Sequence, residues 1–118
     1  MTEGADKKAA IFDSIEAQAP LVAPGMRELI RRQSAGERIE ILRADRQDSC
    51  VRVAFESTGP VVGKLIDGAG EVLATSREAT TRGVLGEHGP VCIRRGDSIS
   101  AVAEGTPTRV RWVAWGSP

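Results

Sequence analysis

The sequence has no tyrosine and no asparagine, a single histidine (His88) and only two cysteines, Cys50 and Cys92. Without asparagine there is no N-glycosylation acceptor. One histidine and two cysteines fall short of the usual tetrahedral zinc site unless carboxylates help, so neither a metal nor another cofactor is expected. No apolar run approaches the roughly 20 residues that a transmembrane helix needs, so no membrane span is expected. The basic start and apolar core of a signal peptide are missing from the chain as well. Sixteen basic residues balance sixteen acidic ones. A net charge of zero offers no field to a polyanion, so no nucleic-acid partner is expected. The arginines at 27, 31, 32, 38, 43 and 46 alternate with Glu28, Glu37, Glu40 and Asp45. That is a mixed-sign surface, not a phosphate-binding stripe.

What is present reads as a helix followed by a β domain. Over residues 5–19, Ile11, Ile15 and Ala19 recur every four residues and Phe12 widens the stripe, the pattern of an amphipathic helix. Pro20 stops it, because proline lacks the N–H and clashes with a continuing turn. Pro20 to Gly25 is connector chemistry. Residues 26–33 fit helix or strand. Beyond them the period is two. Short apolar alternations at 39–41, 51–55, 61–66, 71–75, 79–85, 91–94, 99–103 and 109–115 are separated by turn residues. Asp67-Gly68-Ala69-Gly70 is a hairpin signature. Ser57-Thr58-Gly59-Pro60 reads as a turn between two strands. Strands at roughly ten-residue spacing predict a mainly β chain, an antiparallel, jelly-roll-like β-sandwich with one N-terminal α-helix. The expected organisation is a helix and connector over 1–25 and the β-sandwich over 26–118.

The cysteines share one feature. Alternation places Cys50 with Arg52 and Cys92 with Arg94, each opposite the apolar residues of its strand. A cysteine on that face is a poor core filler and a good half of a disulfide. A Cys50–Cys92 bridge closes a loop of about 43 residues, worth roughly 4 kcal/mol by chain-entropy arithmetic. It implies an oxidising compartment, extracellular or periplasmic, with Met1 standing where a leader was removed. The alternative is two unrelated thiols in a cytoplasmic protein.

The candidate chemistries are thin. His88 stands in Gly86-Glu87-His88-Gly89-Pro90, a turn, with no Gly-x-Ser-x-Gly elbow anywhere. A Cys–His nucleophile pair would require reduced thiols. Arg95-Gly96-Asp97 spells an adhesion tripeptide, yet Gly and Asp are expected there for backbone reasons in a β-turn. On the last strand, Trp112 shares a face with Val110 and Ala114 and is assigned to the core. Trp115 shares the other face with Arg109, Arg111 and Val113. If that face is open, Trp115 flanked by Arg109 and Arg111 can stack on a sugar or a partner side chain. Otherwise Trp115 closes the end of the sandwich or packs under the N-terminal helix.

The segments Ala35-Gly36-Glu37-Arg38-Ile39, Cys50-Val51-Arg52-Val53-Ala54-Phe55 and Leu65-Ile66-Asp67-Gly68-Ala69-Gly70-Glu71-Val72-Leu73-Ala74-Thr75 resemble the small secreted bacterial β-sandwiches of the pre-peptidase C-terminal type. Gly89-Pro90-Val91-Cys92-Ile93-Arg94-Arg95-Gly96-Asp97 is similar to a segment of bacterial lipoprotein domains. The resemblance spans about residues 35–115 as a pattern of strands and turns, and departs from the family in lacking tyrosine. It implies a non-catalytic accessory domain of an exported protein. The expected function is therefore a binding module that contacts a protein or a glycan through Trp115, Arg109 and Arg111. A structural subunit or periplasmic lipoprotein fragment that forms a homo-oligomer through a sheet edge or the helix is the alternative. A thiol enzyme built on Cys92 or His88 ranks third.

Overall fold

The computed structural model describes residues 25–86, 89–105 and 109–116. The helix expected over 5–19, most of the 1–25 segment and His88 lie outside those residues. The described residues form eight antiparallel strands: β1 (Arg27–Ser34), β2 (Ile39–Arg43), β3 (Ser49–Ile66), β4 (Val72–Thr75), β5 (Thr80–Leu85), β6 (Val91–Ile93), β7 (Ser98–Gly105) and β8 (Val110–Gly116). The ambiguous stretch after Met26 is strand because β8 pairs with it along nearly its whole length. Local propensity was neutral there, and tertiary pairing decides.

All eight strands belong to one sheet, where the strand spacing predicted two stacked ones. The reason is β3. Its 18 residues run through what reads in the sequence as two strands and a turn. One edge of β3 takes β8 along 51–57 and then β7 along 61–66. The other edge takes β6, β5 and β4 in succession. Between the two partners of the first edge lies Pro60, where no ladder N–H is needed, as proline in a strand requires. Opposite residues 57–60 the register with β5 shifts, so that Glu56 faces Arg82 but Val61 faces Thr80. Extra residues on one strand bend it, and the sheet folds over this elbow into a half-barrel curl.

The concave side is the core. Val51, Val53, Phe55, Val61, Leu65, Leu85, Ile99, Ala101, Val110, Trp112 and Ala114 are buried there in one cluster. Val110, Trp112 and Ala114 share this face, as alternation requires. The Trp112 ring meets Phe55, its register partner, with centroids 5.4 Å apart. Its Nε1 donates to the buried Ser34 hydroxyl at 2.9 Å. The Phe55 ring in turn lies over Gly63 and Gly83, where an added Cβ would stand 2.6 Å and 2.8 Å from ring carbon Cε1. Both glycines are there for space. Gly83→Val is expected to cost about 1–3 kcal/mol through overpacking, read as a lowered denaturation midpoint with unchanged m-value. An unchanged midpoint would remove the ring from that position.

One end of the sheet is closed by turns. Asp67 Oδ1 accepts from Ala69 N and Glu71 N, both at 2.9 Å, and Gly70 takes φ +85°, completing the expected hairpin. The half-buried Asp97 carboxylate accepts through Oδ1 from Gly68 N at 3.0 Å and from Ser98 N at 2.8 Å. Arg95-Gly96-Asp97 is thus a structural turn whose carboxylate is committed to backbone donors. Cys50 and Cys92 are register partners on β3 and β6 and form a disulfide. Among the described residues, no helix is long and apolar enough to cross a membrane.

Candidate functional site

Arg111 extends from β8 between Gln33 of β1 and Glu56 of β3, its register partners. Arg109 precedes β8, and its backbone exchanges hydrogen bonds with Thr58: Thr58 N donates to Arg109 O at 3.0 Å, and Arg109 N donates to Thr58 Oγ1 at 3.2 Å. Together with Gln33, Glu56, Ser57 and Thr58 they line a cavity of about 160 Å³. The two arginines expected to act together therefore do meet. Trp115 does not join them. The residue is 2% exposed, packed with Ala54 and Val113 and with Met26 and Val84 against that cluster. An exposed stacking ring, which the sugar-binding reading needs, is not offered by this arrangement. Alternation placed Trp115 on the correct face, but that face is covered.

Sequence reasoning missed Glu56. Its side chain is buried, with the residue 3% exposed, on the side of the sheet away from the core. Register explains how a carboxylate survives there: Arg111 flanks it on β8 and Arg82 on β5, with Arg82 Nε 3.4 Å from Glu56 Oε1. A buried charge persists when it is paired. Nothing in the sequence marks this glutamate among fifteen other acidic residues, because its partners come from strands about 25 and 55 residues away.

The larger concavity lies along the opposite edge of β3. It has a volume of about 970 Å³ and runs from Leu73 through the 76–79 loop and β5 to Gly89, Pro90, Val91 and Cys92. β4, β5 and β6 all pair with β3 on that edge, and among the described residues nothing pairs with their outer edges. They succeed each other in one direction, so residues 72–93 form a single interrupted edge strand. The Cα–Cα distance of 4.0 Å between Cys50 and Cys92 marks a non-hydrogen-bonded pair. Carrying that alternation along β3 makes Ala54–Val84 and Glu56–Arg82 non-hydrogen-bonded pairs too. The backbone N–H and C=O of Arg82 and Val84 therefore point outward, into the groove; the Thr80 hydroxyl caps those of Arg82, its Oγ1 accepting from Arg82 N at 3.3 Å and donating to Arg82 O at 3.0 Å.

This edge is poorly protected. Exposed edges are usually blunted by charge. β1 carries Arg27, Glu28, Arg31 and Arg32, and β2 carries Glu40 and Arg43, whereas within β4, β5 and β6 the only charged residue is Arg82. Val72 is the one large apolar side chain among the described residues that stands exposed, at 49%. The loop above the groove is ordered. Ser76 N donates to Gly63 O at 2.9 Å, and Gly63 N donates back to Ser76 Oγ at 3.0 Å. Within it Arg77 sits at φ +68°, the one non-glycine residue with positive φ among those described. A left-handed arginine costs about 1–2 kcal/mol, and such strain tends to gather at binding sites.

No cluster of three or more metal-ligating side chains occurs among the described residues. Neither a protein-family model nor a curated protein sequence matches this chain.

Proposed function

We propose that this chain is a non-catalytic binding module that takes up an extended segment of a partner protein as an added strand along β5, within the groove framed by β4 and β6. The observation that carries it is the outer edge of β5, unpaired by any strand among the described residues, facing a groove of about 970 Å³. Strand addition draws its affinity from backbone hydrogen bonds and its selectivity from pockets for alternate side chains. Val84 supplies open backbone groups, and an incoming strand would take those of Arg82 by displacing the Thr80 hydroxyl that caps them. The 76–79 loop on one side and Gly86, Gly89 and Pro90 on the other line the groove, bracketing a six-residue edge. That span suits one short peptide strand. Edge-to-edge pairing of two copies would need a longer uninterrupted edge. Among the described residues that line the groove the charged ones are Arg77, Glu78 and Arg82, and Arg82 is paired with the buried Glu56.

The disulfide supports an oxidising compartment, hence an exported accessory module as the resemblance implied. The buried Trp115 and the open backbone edge favour a protein ligand over a glycan.

The test uses a display library of random 12-residue linear peptides selected against the full chain. Enriched peptides are expected to lose binding at least tenfold when N-methylated at alternate residues, and to ignore a Val84→Pro variant whose melting curve shows it folded. Peptides indifferent to N-methylation, or equally enriched on the proline variant, would overturn strand addition. Mass that rises with protein concentration and is abolished by Val84→Pro would assign the edge to a second copy instead.

A further inference from the structure

The chain has two cysteines in all, and they are joined to each other. Their bridge is not a core bridge. Cys92 is exposed and Cys50 half-buried, whereas Val51 and Ile93 beside them belong to the core. β6 is three residues long with Cys92 in the middle, and among the described residues no strand pairs with its outer side. Cys92 also lines the groove, together with Gly89, Pro90 and Val91. The two ends of β6 are held differently. After Cys92, Ile93 is buried and Arg95 N donates to Asp48 Oδ1 at 2.9 Å. Before it, Val91 is half-buried, and Pro90 is exposed and has no N–H to give. The bridge therefore holds the groove side of β6, the end with the weaker anchorage.

We propose that the Cys50–Cys92 bridge is a redox switch of the groove: a dithiol reductant opens it in the folded protein by exchange at Cys92, residues 89–92 then leave the end of the groove, and a segment held along β5 binds more weakly. The last of these steps rests on the strand-addition reading of the groove; the first two do not. Exchange depends on access to the attacked sulfur and on the leaving thiolate. A nucleophile in line with the S–S bond reaches Cys92 from the side away from Cys50, which is the open side of β6. Cys50, the half-buried partner on the central strand, is then the leaving group. Arg52 lies two residues along the same face of β3. Its stem passes the end of the groove, where a Cβ added to Gly86 would stand 3.5 Å from Arg52 Cγ. A cation there favours departure of Cys50 as a thiolate. The chemistry balances without a further reactant. One sulfur of the reductant bonds to Cys92 Sγ, the Cys50–Cys92 bond breaks, and Cys50 leaves with the electron pair and takes up a proton. The second sulfur of the reductant displaces Cys92 and closes a cyclic disulfide, and Cys92 takes up the second proton. Two electrons pass from the dithiol to the protein.

The test incubates the full chain with dithiothreitol, without denaturant, and traps free thiols by alkylation, while near-UV circular dichroism reports the fold. The reduction rate is expected to rise in proportion to dithiothreitol concentration with the fold signal retained. A rate that levels off, or reduction that occurs only with loss of the fold signal, would overturn the proposal, because the bridge would then open only through unfolding. In the reduced chain the Val91 amide, which alternation directs at β3, is expected to exchange at least tenfold faster, with β8 unchanged. An unchanged Val91 amide would overturn release of β6. Strand-adding peptides are expected to bind the reduced chain and a Cys50→Ser/Cys92→Ser variant at least tenfold more weakly, and to regain affinity when the reduced chain is reoxidised. Equal binding to the oxidised and reduced chains would overturn control of the groove. The N-methylation test of strand addition uses the oxidised chain, and the reduction and exchange measurements use no peptide, so the two failures are told apart.

Discussion

Trp112→Ala is expected to lower the unfolding free energy by about 3–5 kcal/mol, the range for truncating a fully buried large aromatic. Three losses combine. The ring is completely buried among apolar residues of β1, β3 and β8, so its removal forfeits transfer energy and leaves a cavity. Its tilted contact with Phe55 disappears, and Phe55 is itself held between two glycines that cannot fill space. The Ser34 hydroxyl, buried and bonded to Nε1, loses a donor. Trp112→Phe separates these terms: it keeps most of the volume and removes the hydrogen bond, so a cost of about 1–3 kcal/mol is expected. Urea titrations of both variants measure the difference. If the two cost the same, cavity formation is not what dominates.

Removing the disulfide, as Cys50→Ala/Cys92→Ala, is expected to cost about 4 kcal/mol for a sequence separation of 42 residues. For a domain of this size that is a fall of roughly 15 °C in Tm. The effect should also be local. β6 is three residues long and, among the described residues, pairs with β3 alone. Without the bridge its amides are expected to exchange much faster than those of β8, which is held on both sides by β1 and β3. Loss of the whole edge strand would follow only if β5 depended on β6. A Tm change under 3 °C would mean that the unfolded chain is scarcely restrained by the bridge.

The strands were legible because each buries one face, so a period of two survives in 51–55, 61–66, 99–103 and 110–114. The disulfide was legible for a related reason: alternation set both cysteines on the non-core face, and register then placed them opposite each other. The continuity of β3 was not legible. Ser57-Thr58-Gly59-Pro60 has the composition of a turn, and only the handover from β8 to β7 at that point turns it into an elbow within one strand. The same elbow replaces two stacked sheets with one curled sheet. The site was legible in part. Arg109 and Arg111 do line one cavity, but burial of Trp115 and pairing of Glu56 with Arg82 depend on which strands neighbour β3. The β5 edge was invisible in the sequence, because an unprotected edge is defined by the absence of a neighbour.

The most direct test of the binding edge is hydrogen exchange, measured on the full chain with and without the tightest-binding library peptide. The outward-facing Val84 amide is expected to exchange readily in the free protein, and that of Arg82 less so because it donates to Thr80 Oγ1; both are expected to become at least tenfold slower when the peptide is bound, with β1 and β2 unchanged. Protection that falls instead on β1, on β2 or around Arg109 and Arg111, with Arg82 and Val84 unaffected, would contradict the account.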